Sequence, residues 1–282
     1  MAKSVKVNFV FNLINTISGL LFPLITFPYA SRVIMSEGIG QVNFYTSIIN
    51  YIALFSCIGI PLYGIREIAR VRDSQVDLSR TTVEILLLNL LLNVIGYFAV
   101  AIICLTVARV QANIPLFLVL SAIIALTTIG CSWFYNGIEE FKYITIRNLI
   151  VKIIAVIYLF YAVKTQDDLL QYGIYTVLGT IGNNIFNFLR LRKHIDLSLF
   201  GLRDLNIGRH FKPAIAIFAF NLVTSIYLNL DKVMLGFIQN DQAVGYYTAA
   251  TNISHILLYA VTSLGAVLLP RTSNLIKNDR MD

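Results

Sequence analysis

An all-α, polytopic helical membrane protein with eight transmembrane helices is the fold class this sequence predicts, and three observations predict it. Hydrophobic residues make up 57% of the 282 residues, charged ones only 13%, and the mean hydropathy is +0.73. That is too little charge to cover a soluble globule of this size. A bilayer core of about 30 Å takes roughly 20 apolar residues per helix, and eight stretches reach that length, at 8–33, 40–63, 82–108, 114–136, 144–163, 168–189, 212–238 and 243–270. They are too long and too evenly apolar for barrel strands, which alternate in segments of about ten residues. Finally, with the amino end taken as inside, 17 of the 22 lysines and arginines fall in inside segments, and only Arg32, Arg109 and Lys164 fall in outside ones. That bias places both ends of the chain inside. The pI of about 9.3 is then a consequence of topology and calls for no nucleic-acid partner.

The first span follows Lys3 and Lys6 and contains FPLITFPYASRVI (22–34). It outruns the 7–15 residue core of a signal peptide and no small-residue cleavage site follows it, so a retained helix is expected. Pro23 and Pro28 each remove a backbone donor and crowd the preceding turn, which predicts a bend in its outer half. Such a bend serves gating in transporters with broken helices, and is equally an ordinary membrane-helix kink. Asn8, Asn12, Asn15, Gly19, Thr26, Tyr29 and Arg32 recur at spacings of three, four or seven and so share one face.

The second span offers Asn43, Ser47 and Asn50. The third offers Asn89, Asn93 and Gly96, with Glu84 read as interfacial near its inner start. After the fourth, the inner loop carries Glu139, Glu140 and Lys142, expected to serve gating or structural pairing. The fifth places Lys152 four residues after Asn148, and the sixth carries Thr176, Thr180, Asn183 and Asn187. The basic segment 190–212 is expected to lie along the membrane surface and link two groups of helices. On the seventh, Asn221, Ser225, Asn229 and Lys232 form another stripe. On the eighth, His255, a residue type able to change charge near neutral pH, is with Asp231 a candidate for proton coupling; a hydrogen-bonded packing histidine is the plainer reading. One stripe is adequate as interhelical glue, at about 0.6 kcal/mol per bond. Five stripes favour a shared polar interior, and packing glue stays open beside it. Cys57, Cys104 and Cys131 all fall within spans, as lipid-facing or packing residues, and predict neither disulfide nor zinc site. No cofactor, metal site or catalytic constellation is expected.

The sequence also repeats itself. Val42-Asn43-Phe44-Tyr45-Thr46 matches Val244-Gly245-Tyr246-Tyr247-Thr248 at an offset of 202, with Asn50 on Asn252, and Arg32-Val33 matches Lys232-Val233 at an offset of 200. The seventh span therefore reads as the first again, and the eighth as the second, in a parallel repeat. The expected organisation is a six-helix lobe over 1–208 with the basic linker 190–212, followed by the first two helices of a second lobe over 209–282. The chain is expected to stop inside that lobe.

Three segments, LITFPYASRVIMSEGIGQVNFYTS (24–47), CSWFYNGIEEFKYITIRN (131–148) and NLDKVMLGFIQNDQAVGYYTAAT (229–251), resemble the Wzx-type polysaccharide or O-antigen flippases. These form a branch of the multidrug, oligosaccharidyl-lipid and polysaccharide exporter superfamily. The resemblance implies a two-lobed transporter of the bacterial inner membrane. Such a protein moves an undecaprenyl-diphosphate-linked oligosaccharide to the periplasmic leaflet by alternating access, among membrane lipids and beside a polysaccharide polymerase machinery. This chain departs from the pattern in length, lacking most of the second lobe.

That task needs cations for a diphosphate and amides for sugars. Arg32, Lys152 and Lys232 are the candidate cations, and Asn12, Asn15, Asn221 and Asn229 the candidate sugar contacts. A cation near a helix end also snorkels to headgroups with no cargo at all. A multidrug or sodium exporter of the same superfamily would favour intramembrane carboxylates, which are few here. A membrane enzyme would need a catalytic loop that the short outside connections do not supply. An inactive, truncated remnant is the remaining alternative.

Overall fold

The structure, a computed structural model, describes residues 5–254. Helix α1 (Val5–Val33) runs as one helix through Pro23 and Pro28, and a single residue, Ile34, separates it from α2 (Met35–Cys57). Arg32 sits in the last turn of α1, where a cation complements the helix dipole. α2 ends because Ile58 (φ 33°) and Gly59 (φ 71°) both turn left-handed, and α3 (Ile60–Val71) restarts with a proline in its first turn. A β-carbon at Gly59 would run into the Ala214 carbonyl and the Phe218 nitrogen, so this break needs glycine.

Ser74 caps the 32-residue α4 (Gln75–Thr106) by accepting the Asp77 N–H at 3.3 Å. The one-turn α5 (Ala108–Gln111) leads to α6 (Ile114–Ile129), capped by Asn113. α7 (Ser132–Gly137), α8 (Phe141–Ala162), α9 (Leu169–Ile181) and α10 (Asn184–Leu191) follow. Three short 3-10 turns between Leu197 and His210 then lead to α11 (Phe211–Ile238) and α12 (241–254).

Among the described residues, five helices are long and apolar enough to cross a membrane, and six if the bent pair Ile207–Ala219 and Asn221–Ile238 is one span. The protein is an all-α, multi-pass membrane protein. The expected span at 168–189 is two pieces, α9 and α10, broken at Gly182 and Asn183, and the expected span at 243–270 is described only to 254.

Lipid-facing surfaces are evident where Leu91, Ile95, Phe98 and Leu105 on α4, and Ile153, Ile157 and Tyr161 on α8, are all more than half exposed. Between helices, close packing rather than water expulsion drives association. Trp133 lies against Gly64, and Ile68 against Gly137. One core gathers Phe44, Tyr45, Ile49, Phe117 and Leu120; a second gathers Tyr63, Trp133, Phe134, Tyr135 and Leu191. Cys57 and Cys131 are buried packing residues rather than lipid-facing ones.

Two polar clamps fasten α11 and α12 to the preceding helices. At one end, Arg109 meets Asp241 at 2.5 Å and Tyr45 donates to the Arg109 carbonyl at 2.6 Å. At the other, Glu84 accepts from Arg80 (3.2 Å), Arg209 (2.6 Å), His210 Nε2 (2.8 Å) and the Asn206 N–H (2.7 Å), while His210 Nδ1 faces the Tyr63 hydroxyl at 2.7 Å. Glu84, read near the inner start of its span, lies on α4 and is fully buried among these partners. Residues 206–210 are thus tied to Glu84 through the Asn206 N–H, Arg209 and His210, of which His210 is buried and Asn206 and Arg209 stay exposed. Arg147, counted on an inner loop, is inside α8 and 7% exposed.

Candidate functional site

The α8 face that packs on α1 carries its polar residues at positions 145, 148 and 152, three and four apart, and each bonds across to α1. Thr145 Oγ1 donates to the Phe11 carbonyl at 2.8 Å, Asn148 Nδ2 to Asn15 Oδ1 at 2.8 Å, and Lys152 Nζ to Ser18 Oγ at 3.1 Å. Asn148 Oδ1 also accepts from Asn183 at 2.5 Å and from Arg147 at 2.8 and 3.2 Å, and Arg147 reaches on to Asn187 Oδ1. Asn15 is therefore committed to a side-chain network.

Beyond that network, α1, α2, α8, α9 and α12 line a cavity of about 370 Å³. Lys152 is its one charged lining residue among those described, and no described ion pair includes it. Asn43, Thr46, Thr176, Thr180, Thr248 and Asn252 supply amides and hydroxyls. The Oγ1 atoms of Thr46 and Thr248 are buried without a hydrogen-bond partner among the described residues. Phe22, Tyr175 and Tyr172 form an aromatic wall, with ring centroids 6.0 and 5.6 Å apart and planes 22° from parallel. Pro23 lines this cavity too, and Thr26 Oγ1 donates to the Phe22 carbonyl at 2.9 Å beside it.

A second cavity of about 370 Å³ lies between α2, α6 and α11 and is lined by Asn50, Thr127, Asn221, Ser225 and Asn229, with no charged residue among its described lining. Asn50 Nδ2 donates to Asn229 Oδ1 at 3.4 Å, and Asn229 Nδ2 to the Ser225 carbonyl at 3.1 Å.

Of the predicted cations, only Lys152 lines a described cavity; Arg32 is exposed at the end of α1, and Lys232 is half-buried on α11 away from both. Asn221 and Asn229 come together in the second cavity. Asp231 accepts from the Tyr247 hydroxyl. His255 lies outside the described residues, as does the Asn12 side chain. Sequence reasoning missed Thr46 and Thr248 as cavity residues, although the internal match had paired them, and missed Tyr172 and Tyr175 because they sit in an apolar run. Glu139 and Glu140 serve pairing: Arg72 binds Glu139 and Arg190 binds Glu140, each at 2.7 Å.

Comparison with known proteins places this geometry in context. The family described as "Polysaccharide biosynthesis protein" matches residues 5–276. A provisionally named O-antigen transporter of Shigella dysenteriae is 26% identical over 258 residues, covering 92% of this chain and 65% of the relative. A protein of the same provisional name from Escherichia coli (strain K12) is 23% identical over 267 residues, covering 94% of this chain and 64% of the relative. The chain thus spans just under two thirds of the length of these relatives. No solved structure matches it.

Proposed function

This chain belongs to the polysaccharide biosynthesis protein family, and from that premise we propose that it is a flippase, or the larger part of one, for a lipid-linked oligosaccharide of O-antigen or capsule type. The cargo is a polyprenyl-diphosphate-linked sugar repeat unit, carried from the cytoplasmic to the periplasmic leaflet of the bacterial inner membrane. The observation that carries this reading is the cavity with one cation, no carboxylate among its described lining, and free hydroxyls.

An ionised group at the bilayer centre costs about 2.5–3.5 kcal/mol even on mild scales. Among the described residues Lys152 has the Ser18 hydroxyl at 3.1 Å to offset that cost, and a diphosphate is a fitting counter-ion. The Thr46 and Thr248 hydroxyls, Asn43 and Asn252 suit sugar hydroxyls, and the Tyr172–Tyr175 wall suits the apolar face of a pyranose ring. The lining is supplied both by α1, α2, α8 and α9 and by α12. Relative motion of the two groups of helices would open it to one side at a time, with Pro23 and Pro28 as the places where α1 yields. A cation exporter would need carboxylates where this cavity has Lys152.

The test is complementation: the gene as it stands in its genome is placed in a strain lacking its O-antigen transporter, and the surface polysaccharide ladder is read. Restoration by wild type and by Lys152→Arg, with loss in Lys152→Ala at equal membrane abundance, is the expected result. A full ladder in Lys152→Ala would remove the cation from the mechanism.

A further inference from the structure

On the far side of α8 from the cavity, Arg147, Arg190 and Lys193 converge on a groove of about 390 Å³ between α8 and α10. The residues 146, 150, 153 and 157 of α8 repeat at four and three, forming a face turned well away from the 145, 148 and 152 face that meets α1. Ile146, Ile150, Phe186 and Leu189 wall the groove and are 44%, 50%, 46% and 62% exposed, so its sides are apolar and open. From this juxtaposition we propose that the groove is a binding site for one anionic phospholipid, with its phosphate on the three cations and its acyl chains along the isoleucine face of α8.

Charge is the first support. Glu140, bound to Arg190 at 2.7 Å, is the carboxylate that reaches these cations in the described ion pairs, and none of those pairs includes Arg147 or Lys193. Arg147 is only 7% exposed, held by Asn148 and Asn187 and lying 5.4 Å from the Tyr143 ring centroid. Arg190 lies over the same ring, 4.0 Å from its centroid. Two guanidinium groups on one tyrosine, near Lys193, form a fixed phosphate fork with positive charge left over.

The make-up of the walls is the second support. Apart from the cations and Tyr143 the lining is aliphatic or phenyl, with no amide or hydroxyl set for an oligosaccharide. An acyl chain fits such a wall and a sugar does not. Basic pockets between membrane helices at a positively charged membrane face take anionic headgroups in this way. The groove therefore differs in chemistry from the Lys152 cavity, and holds a resident lipid rather than the cargo.

The experiment uses the purified full chain in neutral detergent, with retained lipid counted by native mass spectrometry and the unfolding midpoint measured as lipid is added. Phosphatidylglycerol is expected to bind at one copy per chain and raise the midpoint, phosphatidylcholine to do neither, and salt to weaken the effect. Lys193→Glu, at an exposed position, should weaken phosphatidylglycerol binding by about tenfold or more. Ile150→Trp, which fills the groove and keeps every charge, should do the same. Three outcomes overturn the proposal: equal binding of both phospholipids, equal protection by inorganic phosphate alone, or displacement of phosphatidylglycerol by a stoichiometric polyprenyl diphosphate.

Discussion

Thr46 and Thr248, related by the internal match at an offset of 202, line one cavity, and the Oγ1 of each is buried without a hydrogen-bond partner among the described residues. A buried unpaired hydroxyl costs about 1–3 kcal/mol. Two of them at matched positions are a cost accepted for something the described residues do not supply. Thr46→Val and Thr248→Val should therefore leave stability within about 1 kcal/mol of wild type, or raise it, while lowering polysaccharide export. Unfolding midpoints in detergent and the surface ladder in cells measure the two effects separately. If valine lowers the midpoint and spares the ladder, the hydroxyls are packing glue.

Glu84 invites the opposite expectation, because all its partners are inside the protein. It gathers Arg80, Arg209, His210 and the Asn206 N–H around a fully buried carboxylate. Removing one member of a buried charge network leaves the rest uncompensated, at about 3–5 kcal/mol. Glu84→Ala should thus reduce membrane abundance and the unfolding midpoint sharply, with Glu84→Gln falling between because it still accepts from Asn206. A protease-accessible 197–210 segment in the alanine variant is the specific readout, since that segment is what the carboxylate holds down.

The contrast between these sites marks what the sequence made legible. Spans were readable because hydropathy over about 20 residues reports directly on the bilayer, and α1, α4, α6 and α8 stand close to where it put them. Lys152 stood out because a cation in an apolar run has few reasons to be there, and it does line a described cavity. Glu84 did not, since a charge near a span boundary looks the same whether it faces headgroups or three partners about 120 residues further along the chain. Arg32 and Lys232 matched in sequence but line neither described cavity, because facing direction depends on helix packing that an offset does not encode. Arg147 was hidden by its place in a run of inner-side charges, although its neighbour Asn148 belonged to a recognised stripe.

The connection between α8 and α9 gives a pH-dependent prediction outside the spans. Asp168 accepts the Lys164 and Thr165 N–H groups at 2.8 Å each and the Thr165 hydroxyl at 3.0 Å, and these bonds hold its carboxyl below the usual range. A carboxylate with a depressed folded pKa stabilises above its unfolded pKa, and that contribution is lost as pH falls through the folded value. Hydrogen exchange at Lys164 and Thr165, corrected for its intrinsic pH dependence, should stay protected down to about pH 4 and rise below it. Asp168→Ala should show the raised exchange at every pH.

At the opposite end of the bundle from Glu84, α2 and α12 touch backbone to backbone: a β-carbon on Gly40 would strike the Asp241 carbonyl, and one on Gly245 the Ser36 carbonyl. The Arg109–Asp241 pair lies beside this contact, with the two side chains 28% and 20% exposed. Partly exposed pairs contribute about 1 kcal/mol or less, whereas small residues that let helices meet allow dispersion along the whole crossing. The glycines, more than the ion pair, should therefore keep this end of the Lys152 cavity shut. Gly245→Ala is expected to raise labelling of a Thr46→Cys reporter by a membrane-impermeant maleimide several-fold, and Asp241→Asn by no more than about twofold. The native thiols interfere little, because Cys57 and Cys131 are buried and the control lacking the reporter subtracts Cys104. The reverse order, with Asp241→Asn opening the cavity and Gly245→Ala leaving it closed, would assign the seal to the ion pair.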